Sequence, residues 1–237
     1  MMEQESKNKV APMVSVIIVN YNGGSSVINC IESIYKQNYT NIEVLLIDNQ
    51  SSDDSLASII EKFPGVLVTS TGYNAGWGVA CNIGIKKSKG DYVVLLNNDV
   101  SLSDTCIKEL YQALQISKKY GSAASKILLK DRPELIECCG LHIYRDGTSL
   151  GRGRLSSKNS FNQVSEVFCA NDCCCMYTRQ MLDEIDGYDP DFFLYCDETD
   201  LGWQHQLAGW ECVYTPNAVA YHEHSKSAGG YSPFKLY

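Results

Sequence analysis

The sequence predicts an α/β protein built on a mostly parallel central sheet, and three observations carry that prediction. The run Tyr92–Leu96 is too uniformly apolar to have a wet face, as expected of a strand buried on both sides. Short apolar runs alternate with stretches of helical periodicity from Val14 through Asp99, the pattern of repeated strand–crossover units. Polar clusters follow the strands, as in Asn97-Asn98-Asp99, and open α/β sheets bind ligands outside the carboxyl ends of their strands.

Val14–Val19 is a β-branched run ending in the turn residues Asn20-Tyr-Asn-Gly-Gly24, which reads as a strand and turn. Val27, Ile28, Ile31, Ile34 and Tyr35 then recur at helical spacing. Glu43–Asp48 is the second strand, and the Ser and Asp residues of Asn49–Asp54 are placed to cap the helix carrying Leu56, Ile59, Ile60 and Phe63. Pro64-Gly65 stops that helix. Val66–Thr69 is the third strand, and Asn74–Gly78 is a glycine-bearing turn before a short helix with Ala80, Ile83 and Ile85. The strand ending at Asn97 closes this Rossmann-like half. No G-x-G-x-x-G follows the first strand, so the dinucleotide fingerprint is absent.

Ser103–Lys118 reads as an amphipathic helix, and beyond it the alternation stops. Residues 145–165 are rich in Gly, Ser, Arg and Asn and are expected to form a mobile loop, either a lid or an ordinary surface excursion. Residues 1–12 are expected to form a polar, disordered tail, and 13–237 a single domain whose first half spans 13–100 and whose second spans 101–237.

The totals exclude several function classes. With 237 residues, 44% hydrophobic and 20% charged, the chain can bury a full core. A formal net charge of -8 argues against nucleic acid as the partner. None of the eleven cysteines has the two-residue separation of a zinc or redox motif, so Cys138-Cys139 and Cys173-Cys174-Cys175 read as small buried apolar residues in a reducing compartment. There is no apolar leader and no stretch of membrane-spanning length.

Three clusters carry candidate chemistry. Asn97-Asn98-Asp99 is either a simple turn or the mouth of a site whose carboxylate holds a divalent cation against a diphosphate. Asp197-Glu198-Thr199-Asp200 opens a helix running to Gly209. Acidic residues there suit the helix dipole, but a partly buried member of such a cluster would also have the raised pKa of a general base. Tyr221-His-Glu-His224 follows the strand-like Asn217–Ala220, and His222 and His224, two residues apart on a strand, would face one side, as metal ligation requires.

From Val14 to Tyr237 the chain resembles the inverting glycosyltransferases of family 2, in particular the rhamnosyltransferase-like branch that builds bacterial surface polysaccharides. The resemblance rests on Val14-Ser-Val-Ile-Ile-Val-Asn-Tyr-Asn-Gly23, Leu46-Ile-Asp-Asn-Gln-Ser-Ser52, Asn74-Ala-Gly-Trp-Gly78 with Asn82-Ile-Gly84, and Leu96-Asn-Asn-Asp99. It continues through Gly187-Tyr-Asp189, Phe192–Leu201, Ala208-Gly209 and His222-Glu-His-Ser225. It implies a GT-A fold in which Val19 and Tyr21 contact the nucleoside and Asp48 its base, with Asn74, Gly76, Asn97 and Asn98 in the same nucleotide-sugar site. Asp99 would be the main ligand of Mg²⁺ or Mn²⁺, with Asn97 standing where the family has an acid and His222 as a further ligand. Glu198 falls on the catalytic base, beside Asp197. Gln204 stands where the family usually has Arg, and Asp172 where small Gly is common.

The activity so implied is metal-assisted transfer of a sugar, rhamnose as first guess, from a dTDP- or UDP-sugar to a hydroxyl of a glycan or lipid-linked acceptor. The protein is expected in the cytoplasm, meeting its acceptor at the inner membrane face through peripheral contact. Two rivals are a non-catalytic nucleotide-sugar-binding relative and a sugar nucleotidyltransferase, though the latter would want a basic loop where this chain has no Lys or Arg between Asn20 and Tyr35. A dehydrogenase lacks its glycine fingerprint. Relatives commonly continue past the position of Tyr237, so the sequence is expected to be either truncated or naturally short.

Overall fold

The computed structural model describes residues 11–223; His224 and Ser225 of the last motif, and residues 1–10 of the expected tail, lie outside them. Ala11 and Pro12, assigned to that tail, instead accept hydrogen bonds from Asn41 Nδ2 (2.8 Å) and Tyr39 Oη (2.6 Å). In order, the elements are β1 (Val14–Asn20), α1 (Gly24–Tyr35), β2 (Ile42–Asp48), α2 (Ser55–Lys62), β3 (Leu67–Ser70), α3 (Trp77–Lys87), β4 (Tyr92–Asn97) and β5 (Val100–Leu102). There follow α4 (Cys106–Leu114), β6 (Tyr120–Leu129), β7 (Arg132–Cys138), β8 (Leu141–Ile143), β9 (Ser149–Gly151), β10 (Ser165–Val167), β11 (Cys174–Thr178), α5 (Arg179–Ile185), α6 (Asp197–Leu207) and β12 (Glu211–His222).

The main sheet runs β10-β12-β6-β11-β4-β1-β2-β3, with β5 on β12 and β7 on β6. Strands β3, β2, β1 and β4 are mutually parallel, as are β6 and β12, and antiparallel β11 joins the two groups. The first strands are buried on both faces. Val16 and Ile18 of β1 pack in one apolar layer with Val94, Leu96 and Ile31, while Ile17 and Val19 pack in the other with Val93, Leu95, Leu45 and Ile47. The chain builds β1, β2 and β3 outward in one direction and then crosses back to lay β4 on the other side of β1. That reversal leaves a crevice beyond the carboxyl ends of β1 and β4.

The second half departs from the sequence expectation. The helix predicted over Ser103–Lys118 is shorter, Cys106–Leu114. Strand β6 has a composition that does not look like a core strand, yet Ser122, Ser125 and Lys126 are all buried in it. The predicted mobile loop at 145–165 contains β9, paired with β8, and is tied to the sheet. Lys126 Nζ donates to Lys158 O (2.9 Å), Ser160 O (3.0 Å) and Asn162 Oδ1 (2.8 Å), while the Arg152 guanidinium lies over the rings of Phe161 and Tyr214. A buried ammonium is stable only with such partners, and burial lowers its pKa.

Helix α3 reaches the sheet closely because Gly84 has no side chain: a Cβ there would stand 2.5 Å from Ile17 Cγ2 and 3.2 Å from Ile47 Cγ1. Overpacking of a fixed core costs about 1–3 kcal/mol, which exceeds the helix-propensity gain of alanine over glycine. Gly84→Ala should therefore lower the unfolding midpoint in thermal denaturation, by roughly 2–4 °C for each kcal/mol lost; an unchanged or higher midpoint would mean that α3 shifts freely.

Candidate active site

The crevice is organised by one buried amide. Asn20, the last residue of β1, directs Nδ2 toward Asp48 Oδ1 (3.2 Å), Ser51 Oγ (3.0 Å) and Ser55 Oγ (3.1 Å), while its Oδ1 accepts from Asn98 Nδ2 (3.1 Å). The ends of β1, β2 and β4 and the start of α2 thus meet at one side chain. Asn22, in the left-handed region at φ 51, accepts at Oδ1 from the amides of Ser52 and Asp53. Asp53 in turn accepts from Gly24 N (2.9 Å) and from Ser55 N (3.2 Å). It is therefore Asp53, one residue before the N-cap position Asp54, that satisfies the start of α2. A cavity of about 220 Å³ lies beside this network, lined by Asn22, Gly23, Gly24, Ser25, Ser26, Asn98 and Asp99.

The residues expected to hold a nucleoside occupy three environments. Tyr21 is exposed, whereas Val19 lies in the core with its side chain packed among Ile17, Leu45 and Ile47. Asp48 is 2% exposed, with its second oxygen accepting from Ser51 N (3.2 Å); both its oxygens are engaged with the protein. Asn74 Oδ1 accepts from Gly76 N (3.2 Å), closing a tight turn. Gly76 has φ 80, and a Cβ there would lie 2.3 Å from Phe193 O, so only glycine fits. Asn49 clips this turn to the end of β2 through Gly76 O (2.9 Å) and Ala75 N (3.2 Å).

At the end of β4, Asn97 is half-buried and its carbonyl accepts from Cys30 Sγ (3.5 Å). Asp99 is 7% exposed, and its Oδ1 lies 3.1 Å from Nε2 of His222, carried there by β12. His222 Nδ1 faces both oxygens of Glu137, at 2.8 and 3.0 Å. Burial opposes a charge on His222, but Cys173, Asp99 and Glu137 around it outweigh burial and push its pKa up. The next residue, Glu223, accepts from Ser26 Oγ and Lys130 Nζ, both at 2.6 Å, and its amide donates to Asp99 O (3.0 Å). Among the described residues no group of three His, Cys, Asp or Glu side chains is arranged to hold a metal ion unaided. Asp99 lines the cavity and offers a carboxylate oxygen to a divalent cation, whereas His222 Nε2 could bind one only after giving up the proton that Asp99 and Glu137 favour.

Helix α6 begins after Tyr195 and Cys196, both with positive φ (67 and 63). Asp197 is 5% exposed, and its Oδ2 has no hydrogen-bond partner among the described residues. Glu198 is half-buried, with its pKa pushed up to about 8, first by burial and then by the charges of Asp172 and Asp197. Burial also raises Asp197. Asp200 accepts from Gln204 Nε2 one turn later (2.6 Å), so the residue standing in place of the expected arginine clips the acidic turn from within the helix.

Asn20, Asn22, Asp53, Glu137 and Glu223 join the site without having been singled out from sequence. The cues available were that Asn20, Asn22 and Asp53 fall inside the polar clusters after β1 and β2 and that Glu223 adjoins His222. Nothing local marks Glu137, which comes from a strand 85 residues away from His222.

The family model described as glycosyl transferase family 2 matches residues 15–186. The chain is 25% identical over 239 aligned residues to an N-acetylglucosaminyl-diphospho-decaprenol L-rhamnosyltransferase of Mycobacterium tuberculosis, covering 92% of this chain and 78% of the relative. Its structure is similar to that of GalNAc-T7 solved with UDP, GalNAc and Mn²⁺, with TM-score 0.74 and 18% identity over 89% of this chain and 43% of that one. A mannosyltransferase from Pyrobaculum calidifontis, PcManGT, in complex with GDP-Man and Mn²⁺, gives TM-score 0.68 and 16% identity over 93% of this chain and 61% of that one. The chain spans less than two thirds of either solved chain. These likenesses establish the GT-A fold.

Loss of the Asn20 amide would leave the buried Asp48 Oδ1 without a donor. Asn20→Ala should cost about 1–3 kcal/mol in urea unfolding, against less than about 0.5 kcal/mol for Asn41→Ala, whose hydrogen bond is exposed. Equal effects of the two substitutions would show that the network is not what joins the strand ends.

Proposed function

The chain belongs to glycosyl transferase family 2, and from that membership we propose that it transfers a sugar from a nucleoside diphosphate donor to an acceptor hydroxyl with inversion at the anomeric carbon. The Mycobacterium tuberculosis relative, 78% of which the chain covers, is named for L-rhamnose transfer to an N-acetylglucosaminyl-diphospho-decaprenol. Rhamnose, a dTDP- or UDP-linked donor and a lipid-linked glycan acceptor are therefore the proposed substrates. Among the described residues no helix is long and apolar enough to cross a membrane, so the proposed meeting with a lipid-linked acceptor at the cytoplasmic membrane face is peripheral.

In this reading the exposed Tyr21 ring takes the nucleoside, Asp48 holds the strand ends behind it through Asn20 and Ser51, and Asn74, Gly76 and Asn98 shape the rest of the donor site. Asp99 and, once deprotonated, His222 would hold a divalent cation, Mg²⁺ or Mn²⁺, with Asn97 able to add a neutral oxygen; a cation there would supply neutralisation of the diphosphate charge. Glu198 takes the proton of the acceptor hydroxyl as that oxygen attacks. Asp197 stands beside Glu198 as a second carboxylate of the same helical turn. A single base with no covalent intermediate gives inversion.

The observation that carries the reading is the half-buried Glu198 at the start of α6, beside two further carboxylates that push its pKa up to about 8. Glu198 is a competent base only when ionised. Activity limited by it should rise with pH, with kcat/KM falling about tenfold per unit well below pH 8 and levelling off above. Glu198→Gln should reduce kcat by about 10²–10⁴-fold while leaving donor binding, measured by calorimetry, unchanged. Product NMR should show the anomeric configuration opposite to the donor's. Retention of configuration, or a Gln variant of undiminished kcat, would refute the mechanism.

A further inference from the structure

The cavity beside Asp99 has an acidic wall. Among the described residues that line it, residues 22–26 with Asn98 and Asp99, none is Lys or Arg. Two further carboxylates stand close behind, Glu137 across His222 and Glu223 against Ser26. A diphosphate entering this corner meets like charge, and the wall itself offers no ammonium or guanidinium to hold it.

The fold brings a lysine here from outside the donor half. Lys130 follows the last residue of β6, and its amide donates to His222 O (2.9 Å) at the end of β12. Its ammonium donates to Glu223 Oε1 (2.6 Å), and Oε2 of the same carboxylate accepts from Ser26 Oγ (2.6 Å) in the cavity wall. One carboxyl group therefore separates Lys130 Nζ from the wall. Glu223 is fixed in that place, since its own amide donates to Asp99 O (3.0 Å). The two side chains differ in freedom: that of Glu223 is 10% exposed and that of Lys130 36%. The ammonium is thus solvated on one side and carried by a flexible four-carbon stem. An ion pair with one partner this open adds little to folding stability, so stability alone does not account for a lysine at this point.

We propose that Lys130 is a donor-binding residue, whose ammonium leaves Glu223 for the terminal phosphate of the nucleoside diphosphate and supplies the charge-assisted hydrogen bond that the wall lacks. This rests on the reading of the crevice as the donor site. In that reading the terminal phosphate lies at Asp99 and the nucleoside at Tyr21, so the lysine meets the phosphate end of the donor. Glu223 holds the ammonium beside the cavity before the donor arrives, which reduces the ordering cost of the new contact.

The test is calorimetric titration of UDP and dTDP, each beside its monophosphate, in the presence of Mn²⁺. The proteins are wild type, Lys130→Met, Lys130→Arg and the double variant Lys130→Met with Glu223→Gln, each checked for folding by thermal denaturation. Lys130→Met should weaken the diphosphate that wild type prefers by about 10–100-fold, the scale of one hydrogen bond to a charged group, and its monophosphate by less than about threefold. Lys130→Arg keeps the charge and should recover most of the loss. The double variant separates contact from neutralisation: it should bind as weakly as Lys130→Met. Recovery to wild-type affinity would show that Lys130 only balances Glu223, and would overturn the proposal. Equal weakening of diphosphate and monophosphate, or no weakening of either, would overturn it as well while leaving the donor site standing. A wild type that binds neither diphosphate would refute the donor site itself, and the role of Lys130 with it.

Discussion

The Asn20 side chain is the contact on which the donor half of the site depends. Its amide hydrogens are shared among Asp48, Ser51 and Ser55, and its oxygen accepts from Asn98. Parallel strands align their carboxyl ends but do not fix the loops that leave them. Here one buried amide fixes three strand ends and a helix start together. Asparagine suits the position because it donates and accepts from one planar group. An aspartate would face Asp48 with like charge and could not donate to it at all. The cavity floor is consequently set before any ligand arrives, and preorganisation of this kind reduces the ordering cost of binding.

The base side depends on a different balance. Asp197 and Glu198 lie together at the start of α6, and burial raises the pKa of each. The helix dipole favours anions at this end by only about 0.3–1 kcal/mol, too little to offset mutual repulsion in a partly buried site. Burial comes first and the neighbouring carboxylates add to it, so Glu198 is left holding a proton more tightly. The two sides meet at residues 76–77. Asn49 fixes Gly76 from the donor side, Phe193 O receives the Trp77 amide, and the Trp77 indole reaches Asp172.

The first half of the fold was legible because β1, β2 and β4 are buried on both faces and so appear in sequence as continuous apolar runs. The same runs place Asp48 and Asn97–Asp99 at strand ends by simple counting. The second half was not legible. Strand β6 buries Ser122, Ser125 and Lys126, a composition without the apolar run of a core strand, and Lys126 is tolerated only because the segment at 158–162 supplies three acceptors. Acidic residues before α6 were visible, yet the partners that decide their behaviour come from distant segments. Asp172 and Trp77 are 95 positions apart, a pairing that no local pattern encodes. Val19 illustrates the limit within a motif, since the pleat of β1 turns its side chain into the core, a placement the motif alone does not show.

Calorimetric titration of UDP, dTDP and GDP into the protein, with and without Mn²⁺, tests the central claim most directly, namely that the crevice beyond β1 and β4 is a metal-assisted nucleotide-sugar site. The account predicts that one uracil- or thymine-bearing diphosphate binds in a Mn²⁺-dependent manner, and that Asp99→Ala removes the metal dependence. Binding that is indifferent to Mn²⁺ and to Asp99→Ala, or no binding of any of the three with Mn²⁺ present, would contradict it.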